Sequence, residues 1–207
     1  VSGEQSDVDQ AGVAPLLASD DYFAGRKFLS VNFSGFDLSE KTFEDCEFAS
    51  CHFSGMSLAR AAFVSCLFER CELVLVKLDN TTLNSVRFRE SKLVGLNFEP
   101  CNKFGFLPDF HCCLVESSVF CANSLKKGSF VSSTIRDCDF MECDMRESLF
   151  DGSSLESSTF QKCNLERADF RTACNYSIDP LNNRLFKARF SLPEAQSFLG
   201  FLGIKLD

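Results

Sequence analysis

The sequence predicts an all-β chain wound as a right-handed quadrilateral parallel β-helix, and three observations predict it. An apolar residue returns at every fifth position, the residue two places before it is mostly small, and charges of opposite sign lie twenty residues apart. A helix would repeat at three and four residues and a half-buried strand at two, so a period of five fits neither. It fits a square coil whose sides are five residues long, each aiming one residue at the axis.

The period is nearly unbroken. One series steps from Phe28 through Phe33, Leu38, Phe43 and Phe48 to Phe98, and a second runs from Phe110 through Val115 and Phe120 to Phe170. Every position in both is apolar, whereas the chain as a whole is 45% hydrophobic, so chance does not account for it. Two residues before these centres stand Cys46, Cys51, Ala61, Cys66, Cys71, Cys113, Ser118, Gly128, Ser133, Cys138, Cys143 and Cys163, as an inward-turning corner requires. Arg26, Phe36, Lys41, Met56 and Leu96 are exceptions, all in the first half, where a less regular coil is expected. The aromatic bias agrees: 24 Phe with no Trp and two Tyr suit a core that takes flat apolar rings and has no place for a polar tip.

Four sides of five residues close a turn of twenty, which places residues twenty apart on one face. Lys27/Glu47, Glu40/Arg60, Glu69/Arg89, Arg70/Glu90, Glu72/Lys92, Glu116/Arg136 and Glu142/Lys162 are opposite-charge pairs at that spacing. So are Lys127/Glu147, Arg136/Glu156, Arg146/Glu166, Glu147/Arg167 and Asp151/Arg171. Exposed pairs contribute only about 0.2–1 kcal/mol each, so their value is in setting register. About eight coils at about 4.8 Å each make a rod about 40 Å long.

The pattern A/C/S-x-F/L-x-x, as in C-E-F-A-S (46–50), C-H-F-S-G (51–55), C-N-L-E-R (163–167) and A-D-F-R-T (168–172), resembles the pentapeptide repeat family over Phe23 to Phe190. The resemblance implies the four-sided β-helix and a non-enzymatic role in recognition. It leaves the partner open, because one fold hosts many functions.

The chain divides into an N-terminal tail and cap (1–22), the repeat region (23–190) and a C-terminal helix and strand (191–207). Ala11 to Leu17 reads as a short apolar helix covering the exposed end of the coil, since solenoid ends need caps. Between 99 and 109 the register shifts by two residues through a stretch marked by Pro100, Gly105 and Pro108. One reading is a projecting loop that meets a partner through Asn102, Lys103, Phe104, Phe106 and Asp109. The other is a bulge in which Phe104 and Phe106 stay buried.

At the C-terminus, Ser191-Leu-Pro-Glu194 reads as a capping box opening a helix from Leu192 to Leu202 that stops at Gly203. Its apolar residues Leu192, Ala195, Phe198, Leu199, Phe201 and Leu202 exceed what covering one coil requires. They point to a homodimer through this end, with Ile204 and Leu206 suited to a short strand. The ending 198–204 is also similar to the termini of dimeric family members, the quinolone-resistance proteins among them.

Chemistry is sparse. The twelve Cys include C-x4-C spacings at Cys46/Cys51, Cys66/Cys71 and Cys138/Cys143, but zinc sites use C-x2-C pairs that converge, and here the spacing is that of the coil. No metal, cofactor or catalytic residue is expected, because a filled coil has no cleft in which polar groups meet. No run of eighteen apolar residues is present, and the acidic, polar start from Val1 to Gln10 lacks the apolar core of a secretory signal. Free thiols then suit a reducing cytoplasm. A net charge of −8 disfavours direct nucleic-acid binding.

Two functions fit. The first is a rigid scaffold for a protein partner that the sequence does not identify. The alternative, implied by the resemblance, is a DNA mimic that binds DNA gyrase or topoisomerase IV and protects it from fluoroquinolones. Self-paired acids weigh against the second, since a DNA groove responds to dense, regular negative charge.

Overall fold

A computed structural model describes residues 7–204. The chain climbs as a parallel β-solenoid of about seven turns with short three- and four-residue strands on four faces. The first face carries Tyr22–Ala24, Thr42–Glu44, Ala62–Val64 and Thr82–Asn84. The second begins at Lys27–Leu29 and reaches Pro108–His111, the third holds Glu72–Val74 to Thr134–Arg136, and the fourth Val119–Cys121 to Thr159–Gln161. Partners are twenty residues apart, as in Phe23↔Phe43 and Phe140↔Phe160. Across the break the interval is twenty-two, as in Phe88↔Phe110 and Leu93↔Val115.

Each five-residue side has one plan. The centre points at the axis, its two neighbours point outward, and the residue before them turns in at the corner. The rings of one face stack, Phe28 on Phe48 at 4.9 Å and Phe150 on Phe170 at 4.4 Å. Rings of opposite faces meet edge-on across the axis, Phe130 against Phe140 at 87°. Both geometries are favoured for aromatic pairs.

The inward corner is small for a second reason. The Cys46 thiol donates to the Phe23 carbonyl at 3.3 Å, Cys66 to Phe43 at 3.3 Å and Cys71 to Phe48 at 3.1 Å. Ser91 and Thr81 do the same to Phe68 and Leu58. A short side chain with one donor satisfies a buried carbonyl one coil below. The fifth residue of the side is left-handed: Ser30, Glu40, Asp45, Ser50, Arg60 and Ser65 have φ between 51° and 64°.

Lys41 departs from the small-corner rule for a visible reason. Its Nζ reaches down to the carbonyls of Leu17 at 2.9 Å and Asp20 at 3.2 Å, and to Asp21. It so caps the C-terminal end of α1 (Gln10–Ser19), whose Val13 and Leu17 cover the first coil. Asp9 closes the other end of α1 by accepting from Ala11 and Gly12.

The C-terminus differs from the helix expected over 192–202. Glu194–Gln196 forms a 3-10 turn and α2 covers only Ser197–Phe201. Phe190 stacks on Phe170 at 5.1 Å and the Ser191 hydroxyl donates to the Arg171 carbonyl, so the chain is held in the coil through Ser191 and the capping box with Glu194 does not form. Of the expected short strand, Ile204 has no strand assignment and Leu206 lies outside the described residues, as does the start of the N-terminal tail. No described helix is long and apolar enough to cross a membrane.

Candidate interaction surface

The register break builds one unusual feature from local rules. Asn102 accepts the Phe104 N–H on its side-chain oxygen at 3.1 Å and donates to Thr82 at 3.3 Å. Lys103 donates to the Cys121 carbonyl at 3.0 Å. Gly105 sits at φ +69° with no room for a Cβ, which would lie 3.0 Å from the Asn84 side chain. Phe106 then turns inward, 3% exposed and edge-on to Phe98 at 6.2 Å, between the coils of Leu83 and Leu125. The carboxylate of Asp109 accepts the Ser129 N–H at 2.9 Å; burial raises its pKa, opposed by that bond and by Arg87.

Phe104 is left 84% exposed. Neither sequence reading anticipated this split, in which one Phe fills the core and the other projects. The five candidate residues are thus adjacent but unequal: Asn102 and Lys103 are exposed but bonded back to the coil, Asp109 is half-buried, Phe106 is core, and Phe104 projects its ring into solvent. Alternation inside the bulge carried the signal, since residues 104 and 106 straddle a glycine.

Phe104 stands midway up the first face. Below it the outward side chains are Thr42, Ala62, Val64, Thr82 and Asn84, with two carboxylates low on the face, Glu44, bonded to the Tyr22 hydroxyl, and Asp45. Above it are Lys126, Lys127, Arg146, Arg167, Arg184 and Lys187 against Asp144, Glu147 and Glu166. Arg146 pairs with Asp144 at 2.6 Å and Arg184 with Glu166 at 3.4 Å. Among the described residues Lys126, Lys127, Arg167 and Lys187 have no carboxylate in ion-pair distance, and Lys187 lies over the Phe186 ring at 5.2 Å.

Elsewhere most cations are matched, whereas many carboxylates, Asp79, Glu99, Asp137, Asp139 and Glu156 among the described residues, have no cation in ion-pair distance. Lys27–Glu47 at 2.7 Å, Glu72–Lys92 at 3.8 Å and Glu116–Arg136 at 2.6 Å are pairs of the expected twenty-residue kind. Other expected pairs give way to a two-residue contact along one side, Asp144–Arg146 and Asp169–Arg171 at 2.8 Å, because the two neighbours of a centre point the same way. These arginines hold both aspartates below the usual carboxylate range. Among the described residues, no column of outward positions carries carboxylates in three successive coils, and Asp79/Glu99 is a run of two.

Nine of the twelve thiols are buried, and Cys112 is exposed. Burial pushes Cys101 and Cys138 up to about 12 and Cys113 to about 11, and contact with the Cys46 thiol together with burial raises Cys66. Among the described residues no cluster of His, Cys, Asp and Glu is arranged to hold a metal ion. Surface concavities are shallow grooves between coils, and the axis is filled by side chains.

Comparison with known proteins agrees with the coil. The family described as pentapeptide repeat region matches residues 41–104, and pentapeptide repeats match 138–174. Comparison of the sequence with curated proteins finds no match. Among solved structures, a trypsin-treated variant of QnrB1, a plasmid-mediated fluoroquinolone resistance protein, is 18% identical with a TM-score of 0.63, covering 90% of this chain and 89% of that one. A second such variant is 19% identical with a TM-score of 0.58, covering 90% of each. HetL, a pentapeptide repeat protein involved in heterocyst differentiation regulation from the cyanobacterium Nostoc sp., is 13% identical with a TM-score of 0.47, covering 90% and 95%. At such identities the likeness is one of fold. The five-residue side, the four-faced coil and the two family matches agree that the chain is a pentapeptide repeat protein.

Proposed function

We propose that this chain is a non-enzymatic, rigid scaffold that binds a protein partner through the bulge at 99–109. The observation that carries the reading is Phe104, held 84% exposed by neighbours that are tied to the coil. An aromatic side chain carried on a backbone that is fixed before binding loses less freedom on docking, and buried aromatics are prominent among interface hot spots. Capture from native lysate with the wild type and with Phe104→Asp tests it. A partner retained by the wild type and lost by the variant supports the reading, and one retained equally by both removes the bulge from it.

The reading includes a homodimer through the C-terminus. Leu192, Phe201 and Leu202 leave apolar surface in water, while Phe198 packs on Phe190 at 4.7 Å, and Ala195 and Leu199 lie beside them half-buried. Phe201→Asp with Leu202→Asp is expected to give a monomer by light scattering; a monomeric wild type ends the claim. The buried thiols suit a reducing compartment, and we take the chain as cytoplasmic.

The DNA-mimic alternative, with a type II topoisomerase as partner, is the weaker one. Without three stacked acids in any column, the rod offers no continuous row of charge at phosphate-like spacing. Purified protein is expected neither to inhibit gyrase supercoiling nor to relieve fluoroquinolone poisoning; either effect would reverse this ranking.

A further inference from the structure

Charge on the first face is distributed unlike charge on the other three. The chain carries −8 overall, yet the upper half of this face has six cations against three carboxylates. Two of those carboxylates are already bound, Asp144 to Arg146 and Glu166 to Arg184. Lys126, Arg146, Glu147, Glu166 and Arg167 line one shallow groove, so the unmatched cations Lys126 and Arg167 edge the same depression. The corresponding stretch of the third face has the opposite balance, with Glu116, Asp137 and Glu156 against Arg136. Below the groove comes Phe104, and below that the strip of Thr42, Ala62, Val64, Thr82 and Asn84, uncharged down to Glu44 and Asp45 in the second coil.

We propose that the first face is the docking surface, and that its occupant is an acidic, leucine- or aromatic-bearing polypeptide segment of a partner protein. The inference deepens the scaffold reading and rests on it. Carboxylates of the segment meet Lys126, Lys127, Arg167 and Lys187, while its apolar side chains cover Phe104 and the uncharged strip. Complementary charge speeds encounter and rejects wrong partners, and the desolvated aromatic supplies affinity. Nucleic acid is disfavoured on the same face. Glu147 and Glu166 interrupt the cations, where a phosphate backbone requires an unbroken row, and the uncharged strip offers phosphates nothing.

The test is fluorescence anisotropy with a short labelled peptide of alternating glutamate and leucine, a lysine–leucine counterpart and a short DNA duplex. The full chain is expected to bind the glutamate–leucine peptide more tightly than either of the others, and less tightly as salt is raised. Phe104→Ala, and separately Lys126→Glu with Arg167→Glu, are each expected to weaken binding by about tenfold. Circular dichroism melting curves matching the wild type show that these variants remain folded. Absent binding, equal binding of the lysine–leucine peptide, tighter binding of DNA or unchanged affinity in the variants would each overturn the proposal. If a lysate partner is lost with Phe104→Asp while the acidic peptide does not bind, the scaffold reading survives and this inference fails.

Discussion

The Lys41 ammonium donates to the Leu17 carbonyl at 2.9 Å, tying a corner of the second coil to the last turn of α1. It is 12% exposed and binds two carbonyls and the Asp21 carboxylate, so one side chain holds the N-terminal cap in place. Lys41→Ala removes that charge from a helix C-terminus and leaves the carbonyls bare. The expected cost is about 1–2 kcal/mol. Amide exchange should accelerate across 10–19 while the strands of the central coils keep their protection, and uniform acceleration would contradict the latch.

Phe104 and Phe106 separate binding from stability. Phe106→Ala empties a core position and is expected to cost about 3–5 kcal/mol in urea unfolding. Phe104→Ala should stay within about 0.5 kcal/mol of the wild type, as surface changes do. A large loss with Phe104→Ala would mean that the ring packs on the coil.

The left-handed corner restricts side chains. Ser65 is exposed at φ 55°, so Ser65→Val changes little but backbone strain. A β-branched residue there is expected to cost about 1–2 kcal/mol or more. Leu75, at φ 53°, should tolerate glycine and gain about 1 kcal/mol. Equal midpoints for Ser65→Val and wild type would show that the corner relaxes.

Buried thiols give the stability a defined response to alkali. Cys101 and Cys138 ionise near 9.0 in a free chain and near about 12 when folded. Above 9 the unfolded state has released protons that the folded state retains, so unfolding free energy falls as pH rises. The contribution is fully present below about pH 9 and is lost progressively toward pH 12. The arginine-paired Asp144 and Asp169 act at the other end: their contribution is present above the ordinary value of 3.8 and lost as pH falls through their depressed folded values. Denaturant midpoints measured across pH should form a plateau between these limits. A midpoint that rises from pH 9 to 11 would rule out protonated, buried thiols.

Much of the coil was legible because one residue in five has a single environment. Phe28 and Phe48 announce the axis, and Cys66 or Ser91 announces the corner beneath it. The left-handed place was present too, as a position that takes Ser, Gly, Asp, Arg or Glu and avoids β-branched side chains. Its signal is an exclusion and is harder to see than a recurrence. Charge partners were read less well. Arg146 has a choice between Glu166 one coil up and Asp144 two residues back, and spacing alone does not rank them. The bulge was located by its prolines and glycine, yet which phenylalanine projects depends on the Asn102 side chain and the close approach of Gly105 to Asn84, contacts that no period encodes.

The return to a twenty-residue interval above the break gives the rod the character of a ruler. A whole coil of twenty residues between Ser124 and Phe170 can be removed or duplicated in phase, because strands and bridges there pair at that interval. The depth of Phe104 below the C-terminal end is therefore adjustable only in steps of about 4.8 Å, with the ring kept on the same side. A partner gripping both places would sense coil number as length, and insertions of other than twenty residues would register as rotation.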